Sequence, residues 1–569
     1  MKASDFNRFA RNPVNLDITR SRFNRSFTHK TSFNAGDLIP VYCEEVLPGD
    51  TFSVDTACVV RMSTPIHPVM DNAYMDMMFF SVPCRLLWNH WKEFMGQSNE
   101  AFAPDVEYQV PQIRLDENQK GSIFDHFGIP IGYLGDSVTP FTINALPIRA
   151  LALIWNEWFR DQNVFSPINI DLGDNTVRSP GLGNGLTWFQ DGNFSEFVEG
   201  AYAYGIPLPV AKYHDYFTSA LPLPQKGPAV TLPIVDSEIG YLPVVTSDDI
   251  RNSKYNDGSL VFDMPGNTGV PTGLTQELTL SNGNLVASSA VGTPTNVNLA
   301  PSNLQVLPEA LQSVSVNVLR QAFAMQKLFE KDARGGTRYT EIIRSHFGVT
   351  SPDARQQRPE YLGGKRIPIT MQQVLQTSST DDISPQGNAA ANSVTQDKGS
   401  SFTYSATEHC YIIGVVCVRT DHTYQQGVSR MWSRKRRYDF YDPVFANLGE
   451  QAILNKELYV GKNASQALKN DQVFGYQEAW AEYRYHPSTV SGALRSTYAQ
   501  SLDVWHYGDK FESLPTLSPE FISETRTNID RTLSVTSAVE DQFIADFYFR
   551  NFAVRPMPLY SIPGLIDHH

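Results

Sequence analysis

The chain has 569 residues and a formal net charge of −14, and 41% of its residues are hydrophobic, which is enough for a large core. Its longest apolar run, residues 411–418, is far too short to cross a bilayer, so we expect no membrane insertion. Five cysteines without a CxxC pair argue against a disulfide framework.

The first 36 residues form a basic arm. Seven basic and two acidic side chains give it a net charge of +5, whereas the remaining 533 residues carry −19. Five phenylalanines are interleaved with these cations, and single-stranded nucleic acid is bound by cations that follow phosphates and rings that stack on bases. The candidate DNA-facing residues are Arg8, Arg11, Arg20, Arg22, Arg25, Lys30, Phe6, Phe9, Phe23 and Phe27. The sequence leaves open that the arm instead lies along its own domain or a neighbouring subunit, with the phenylalanines as anchors.

After the arm, strand patterns alternate with two short helical patterns. Residues 51–62 alternate apolar and polar side chains, which is typical of a half-buried strand. Residues 74–82 are apolar on both faces and predict a central strand that ends at Pro83. Residues 84–96 and 147–160 repeat apolar side chains at helical spacing and predict one helix each.

Residues 222–305 differ in composition from the segments on either side. Gly, Pro, Ser, Thr and Asn crowd this stretch, and it holds only three basic residues. It is too long for a plain connection inside a compact domain, so we predict an inserted surface excursion with short strands. A second polar stretch, residues 377–401, predicts a long exposed loop.

Two regular patterns occur in the second half of the chain. Residues 309–336 place apolar side chains at steps of three or four and predict the clearest helix, which ends at Gly335-Gly336. Residues 542–550 predict a strand with Phe543, Phe547 and Phe549 on one face.

A second basic run, RMWSRKRRYDFYDP, spans residues 430–443. Its cations are Arg430, Arg434, Lys435, Arg436 and Arg437, and they flank two aromatic rings. Because the rest of the chain is so acidic, we predict that these cations form ion pairs with a neighbouring subunit. A nucleic-acid patch and a plain solvated face remain open.

Catalytic and metal-binding motifs are absent from the sequence. No GxGxxG, Walker A, GxSxG or HExxH pattern occurs, and no histidine shares metal-ligand spacing with a cysteine pair. Asp171 and Asp174 offer oxygen ligands for calcium, but without EF-hand spacing a turn loop is favoured. We therefore predict no catalytic residue, no metal and no cofactor.

Three segments resemble the major capsid protein of the microviruses, which are small single-stranded DNA bacteriophages, and are most similar to the gokushovirus branch. They are SFNAGDLIPVYCEEVLPGDTFSV (32–54) continued by residues 61–88, LRQAFAMQKLFEKDARGG (319–336) continued to residue 364, and YDFYDPVFANLGEQAILNKELY (438–459) joined by NFAVRPMPLYSIPGL (551–565). The resemblance implies a mainly β fold, an antiparallel β-sandwich of the viral jelly-roll type with long inserted loops and a few helices. Its expected parts are a basic arm (1–36), a shell domain (37–221 and 306–569) and a surface protrusion (222–305).

The same resemblance implies the function and the partners. Many copies of the chain are expected to form an icosahedral shell around a circular single-stranded DNA genome, with the protrusion at the three-fold axes contacting the host. Expected partners are other copies of the chain, the genome, an internal scaffolding protein, a DNA pilot protein, a small basic DNA-associated protein and a host-surface receptor. The expected location is the virion, after assembly in the cytoplasm of a bacterial host. A glycan-binding adhesin and a β-rich glycoside hydrolase are the competing functions.

Overall fold

The two largest sheets of the described residues are antiparallel and form the core of the structure, which is a computed structural model. It describes residues 19–97, 107–135, 138–179, 205–230, 316–378 and 386–560, and the bounds of six short strands between residues 244 and 306. Contacts divide the chain into two units, residues 1–226 with 330–569 and residues 227–329. The predicted limits of arm, shell domain and protrusion remain predictions, because most of residues 222–305 lie outside the described residues.

Strands outnumber helices along the described chain. The strands are β1 (Ser21–Asn24), β2 (Phe27–Phe33), β3 (Asp37–Val46), β4 (Thr51–Met62), β5 (Ala73–Pro83), β6 (Gln112–Leu115), β7 (Glu117–Asn118), β8 (Gly132–Tyr133), β9 (Phe141–Asn144), β10 (Val177–Ser179), β11 (Leu208–Pro209), β12 (Val244–Thr246), β13 (Phe262–Asp263), β14 (Glu277–Ser281), β15 (Asn284–Ser288), β16 (Ala300–Pro301), β17 (Leu304–Val306), β18 (Glu360–Pro368), β19 (Met371–Leu375), β20 (Ala389–Ser405), β21 (Cys410–Thr420), β22 (Thr423–Tyr424), β23 (Glu450–Leu454), β24 (Val473–Glu478), β25 (Ser488–Thr489) and β26 (Phe543–Arg555). The α-helices are α1 (Trp91–Phe94), α2 (Ile123–His126), α3 (Leu146–Ile154), α4 (Val316–Arg334), α5 (Tyr339–Phe347), α6 (Asn455–Leu458), α7 (Ala464–Ala467), α8 (Pro519–Ile522) and α9 (Thr527–Asp530).

The first sheet has six strands. Both β1 and β2 pair with β26, which is followed across the sheet by β4, β20 and β19. The predicted alternation of residues 51–62 is confirmed in β4, whose residues at every second position from Phe52 to Met62 are buried. Phe543, Phe547 and Phe549 lie on the same buried face of β26, as predicted.

The second sheet has five strands in the order β11-β3-β21-β5-β18, and its central strands β21 and β5 are buried on both faces. One face packs against the first sheet, and the other packs against α3 and its neighbouring loops. A strand covered on both sides needs a continuous apolar run, which residues 411–418 of β21 supply. β5 lies between β21 and β18, so the predicted central strand is confirmed. The architecture is the predicted antiparallel β-sandwich, while the jelly-roll connectivity remains a prediction.

An aromatic cluster joins the two sheets across the core. The ring of Tyr42 in β3 lies 5.8 Å from that of Phe79 in β5 and 5.1 Å from that of Phe549 in β26. Phe79 also packs against Phe402 of β20 at 4.9 Å. The rings fit because position 414 of β21 is a glycine, where a Cβ would lie 2.6 Å from the Phe79 ring. This close approach requires Gly414.

A buried ionic cluster ties the end of β21 to the later part of the chain. His422 contacts Asp509 through Nδ1 at 2.9 Å and Glu524 through Nε2 at 3.0 Å. Lys212 Nζ lies 3.6 Å from Asp509, and Asn528 donates to Asp509 at 2.7 Å. Burial alone would lower the pKa of His422, but the two carboxylates outweigh it and raise that pKa to about 10. His422 is therefore charged at neutral pH inside the fold.

Two predicted elements differ from the structure. The prediction of one helix over residues 84–96 is wrong: they form a 3₁₀ turn at Cys84–Leu86 and the single turn α1. The amide of Asn89 donates to the Leu172 carbonyl at 3.0 Å, so a tertiary hydrogen bond interrupts the helix. The predicted loop at residues 377–401 is also wrong, because β20 begins at Ala389.

The other helical predictions hold in the described residues. The helix predicted over residues 147–160 is observed as α3 (Leu146–Ile154), which continues as a π-helical turn over Trp155–Phe159. The predicted helix 309–336 is observed as α4, and its first seven predicted residues lie outside the described residues. Gly336 follows α4 with a φ of 91°, in the left-handed region that favours glycine.

We predict that Gly414→Ala destabilises the protein by about 1–3 kcal/mol, because the added methyl group overpacks the aromatic cluster. Urea unfolding at neutral pH measures this change. Gly363→Ala is the matched strand control, since its Cβ would lie 3.3 Å from the Ser400 hydroxyl, a much milder approach. Equal stability of both variants would show that the rings tolerate the methyl group.

We also predict that the charged His422 stabilises the fold between about pH 5 and pH 7, and that this contribution is lost as the pH rises toward about 10. The reason is that the folded pKa of His422 lies above its usual value near 6.5, so the folded state binds the proton more tightly than the unfolded chain. Urea unfolding of the wild type and of His422→Gln across this range isolates the effect. If the free energy of unfolding changed with pH in the same way in both proteins, His422 would not be the source of the pH dependence.

Candidate nucleic-acid interface

The described part of the arm is built into the six-stranded sheet. Arg8, Arg11, Phe6 and Phe9 lie outside the described residues. The remaining candidates lie on or beside β1 and β2, which run antiparallel to β26. Because successive side chains of a strand point to opposite faces, the arm is divided between the core of the sandwich and the open face of the sheet.

One group of arm residues anchors the arm to its own chain. Phe27 packs against Phe549 at 5.1 Å and stacks on Tyr42 at 5.8 Å, which extends the aromatic cluster. Arg25, at the bend between β1 and β2, forms a 2.7 Å ion pair with the buried Glu44 of β3. Burial raises the pKa of Glu44, and Arg25 opposes that shift. These residues have the anchoring role that the sequence left open.

Two further candidates lie at the edge of the anchored region. Arg20 donates hydrogen bonds to the Gly49 carbonyl and, at 3.2 Å, to the Thr51 hydroxyl. Phe23 is half-buried and lies opposite Ala553 in the register of β1 and β26. Both residues therefore contact the sheet itself.

Arg22 and Lys30 lie on the exposed face of the same sheet. The guanidinium carbon of Arg22 lies 4.1 Å from the centre of the Phe552 ring, and that of Arg550 lies 5.4 Å from the same ring. Lys30 forms an exposed 3.2 Å ion pair with Asp546. Tyr548, between these groups on β26, is 45% exposed. We name the set Arg22, Lys30, Tyr548, Arg550 and Phe552 the open-face cluster.

The open-face cluster has the chemistry that single-stranded nucleic acid requires. Arg22, Lys30 and Arg550 share this face with two carboxylates, Asp546 beside Lys30 and Asp55 opposite Arg550 in the strand register, so the cations outnumber the carboxylates by three to two. Two guanidinium groups share one ring, which fixes their planes and leaves both available to an anion. The exposed Tyr548 ring offers a stacking surface for a base.

Sequence reasoning missed Tyr548, Arg550 and Phe552 as members of this site. The alternation of residues 542–550 already placed Arg550 on the face opposite the core. The sequence pattern did not predict the pairing of β1 with β26, and this pairing places Arg22 over the Phe552 ring. The cluster therefore depends on long-range strand pairing.

The cations of the second basic run separate into two groups. Arg430 donates to the Ala452 carbonyl at 2.9 Å and lies 3.4 Å from Glu457, and Arg434 pairs with Glu482 at 3.0 Å. Lys435, Arg436 and Arg437 are exposed. Pairing with a neighbouring subunit remains a prediction, and it now rests mainly on these three residues.

The described residues contain no group of three or more His, Cys, Asp or Glu side chains placed to hold a metal ion. Asp174, one of the two possible calcium ligands, accepts hydrogen bonds from Trp88 at 2.5 Å and pairs with His90 at 2.9 Å. Within the same described ranges, no helix is both long and apolar enough to span a membrane.

Comparisons with known proteins agree with one another. The family model described as "Capsid protein (F protein)" matches residues 14–565. The chain is 42% identical to capsid protein VP1 of Bdellovibrio phage phiMH2K, over 98% of this chain and 97% of that protein. It is 39% identical to capsid protein VP1 of Chlamydia phage 1 over 98% of each chain, and 38% identical to that of Spiroplasma virus 4 over 99% of this chain and 98% of that protein.

Proposed function

Because the chain belongs to the F capsid protein family of bacteriophages, we propose that it self-assembles into an icosahedral shell around a circular single-stranded DNA genome. Family membership itself makes the chain a structural capsid protein of a phage virion, present as a homo-oligomeric shell, and not an enzyme. The predicted resemblance to microvirus capsid proteins is thereby confirmed, and both competing functions are set aside.

The observation that supports DNA enclosure is the open-face cluster. The central strands of the five-stranded sheet are covered on both faces, whereas the face of the six-stranded sheet that carries the cluster is exposed. A broad exposed face with surplus cations and stacking rings suits the genome side of a shell. We therefore propose that this face points toward the packaged DNA, with Arg22 and Arg550 at phosphates and Tyr548 at a base.

The arm alone does not neutralise a genome. Its net charge is only +5, and Arg25 and Lys30 already pair with carboxylates of the same chain. Other cations must therefore neutralise most of the phosphates. This supports a role for the small basic DNA-associated protein among the proposed partners, which also include an internal scaffolding protein and a DNA pilot protein. Assembly in the cytoplasm of the bacterial host belongs to the same proposal.

We propose host attachment for the insertion at residues 222–305. Its composition, rich in Gly, Pro, Ser, Thr and Asn, suits a solvent-facing excursion. Residues 227–329 also form a unit of their own by contacts, which agrees with an insertion that is separate from the shell domain. The partner would be a receptor on the host surface.

We predict that Arg22→Ala combined with Arg550→Ala lowers the DNA content of purified particles. Removal of one phosphate-binding cation should also reduce the slope of log affinity against log salt by about 0.7 for single-stranded DNA, so the double variant should show a reduction of about 1.4. Absorbance at 260 and 280 nm after nuclease treatment measures the first effect, and oligonucleotide titrations at several salt concentrations measure the second.

The matched control for this experiment is Lys462→Ala combined with Lys469→Ala. These substitutions remove two exposed cations that lie on either side of α7 and outside the strands of the six-stranded sheet. The control should retain both the DNA content and the salt slope. A double variant of the open-face cluster that behaves like this control would contradict a DNA-facing role.

We also predict that replacing residues 230–300 by a short linker leaves shells intact but abolishes attachment to host cells. The physical reason is that the buried core side chains found among the residues that the structure describes all lie outside this range. Sedimentation measures assembly, and co-pelleting of particles with host cells measures attachment, with wild-type particles as the reference. Loss of shells would show that the insertion builds subunit contacts instead.

A further inference from the structure

The loop at residues 430–448 has an unusually apolar surface for an exposed segment. Seven of its large side chains are exposed: Val444 (83%), Trp432 (74%), Tyr438 (72%), Met431 (55%), Leu448 (55%), Phe440 (52%) and Tyr441 (46%). Single exposed apolar residues are common on proteins, but a run of this density marks an interaction surface. We call this segment the 430–448 loop.

The 430–448 loop is held in one shape by its own chain. The carboxylate of Asp439 accepts hydrogen bonds from the amides of Lys435 and Arg436, each at 2.8 Å. The side chain of Asp442 accepts from the Val444 amide at 3.0 Å and begins a 3₁₀ turn. These bonds fix the middle and the end of the loop.

Contacts from outside the loop fix it further. The ion pairs of Arg430 and Arg434 hold its start, and the indole of Trp480 donates to the Phe445 carbonyl at 3.2 Å. The ring of Tyr441 packs on Trp480 with 5.7 Å between centroids. A surface that is already ordered loses little conformational entropy when a partner binds, so this loop is prepared for a contact.

The side chains of the loop favour a protein partner over nucleic acid. Aromatic residues, Met and Arg are the types enriched in protein interfaces, and the loop presents all of them. Val444, Met431 and Leu448 are aliphatic or thioether side chains, which cannot stack on bases as rings do. Their exposed area is useful only to a partner with an apolar surface.

The charges of the loop suit a second copy of this chain. Lys435, Arg436 and Arg437 are exposed beside the apolar side chains, and the chain outside the arm has a net charge of −19. A two-fold contact of the loop with itself would bring these cations together and would be repulsive. A heterologous contact, with a different and acidic surface of the neighbour, avoids this repulsion and generates rings that can close.

We propose that the 430–448 loop is a subunit-contact surface, which docks its apolar side chains and the cations at 435–437 against a different, acidic surface of a second copy of this chain. The proposal rests on the self-assembly proposed above and goes beyond it by naming the surface. It also extends the predicted intersubunit charge pairing, since the apolar side chains now supply the centre of the contact and the cations its rim.

Photo-crosslinking in assembled particles tests the proposal. Tyr438 is replaced by p-benzoylphenylalanine, the particles are irradiated, and the products are treated with nuclease and resolved on a denaturing gel. We expect covalent dimers of the chain whose joined peptides, identified by mass spectrometry, pair the loop with another segment. Protein–DNA adducts without dimers would overturn the proposal in favour of nucleic acid, and monomers alone would overturn it outright.

The same probe at Tyr548 separates this inference from the proposed function. There, DNA adducts are expected because the open-face cluster is proposed to face the genome. DNA adducts at Tyr548 with only monomers at Tyr438 would overturn the loop contact and leave the proposed function standing. Failure of the wild-type chain to form particles under any condition would overturn both.

A charge substitution gives a second, independent readout. Val444→Asp should lower the yield of particles about ten-fold, as expected for an interface hot spot, while the thermal unfolding of the free subunit stays unchanged. Val138→Asp is the matched control, because Val138 is also 83% exposed and lies outside the loop. Assembly of Val444→Asp at the wild-type yield would overturn the proposal.

Discussion

The fold depends on one sheet that is apolar on both faces. Strands β5 and β21 present large side chains in both directions, so the five-stranded sheet is stable only when both faces are covered. The six-stranded sheet covers one face through the aromatic cluster of Tyr42, Phe79 and Phe549, and α3 with its loops covers the other. The outward face of the six-stranded sheet is the sheet face that stays exposed.

This constraint gives the arm two roles at once. Because β1 and β2 complete the six-stranded sheet along β26, their inward side chains belong to the core and their outward side chains to the exposed face. Phe27 and Arg25 therefore hold the arm in place, while Arg22 and Lys30 remain on the surface. A cation in a basic arm therefore need not contact nucleic acid. The alternation of side chains along the strand decides which cations lie on the exposed face, where a nucleic acid can reach them.

The sequence predicted the elements whose signals are local and strong. β4 and β26 alternate large apolar with polar side chains, and β21 is one apolar run, so their burial could be read directly. β20 was missed because its inward positions are small and partly polar, with Ala391, Ser393 and Thr395 packed under β19 and beside β4. The hydroxyls of Ser393 and Thr395 form hydrogen bonds with the backbone of Thr370, so these polar side chains can be buried in the sheet. Because polar residues are also typical of loops, the composition of the segment did not indicate a strand.

The candidate site was less predictable, for a physical reason. Ser32 of β2 and Asp541, just before β26, are 509 residues apart in the sequence and in hydrogen-bond contact in the structure. No local pattern specifies such a pairing, so charge and aromatic spacing identified Arg22 but not its partners Phe552 and Arg550. The sequence also did not identify the exposed apolar side chains of the 430–448 loop, because its basic residues dominated the pattern and a local pattern does not give the exposure of each ring.

We propose that the exposed face of the six-stranded sheet lines the inside of a DNA-filled shell. A cryo-electron microscopy reconstruction of nuclease-treated particles tests this placement directly. We expect a closed icosahedral shell in which the open-face cluster points inward and nucleic-acid density contacts Phe552, Arg22 and Arg550. A shell in which this face points outward, or an inner surface whose DNA density avoids the cluster, would show that the face does not bind the genome.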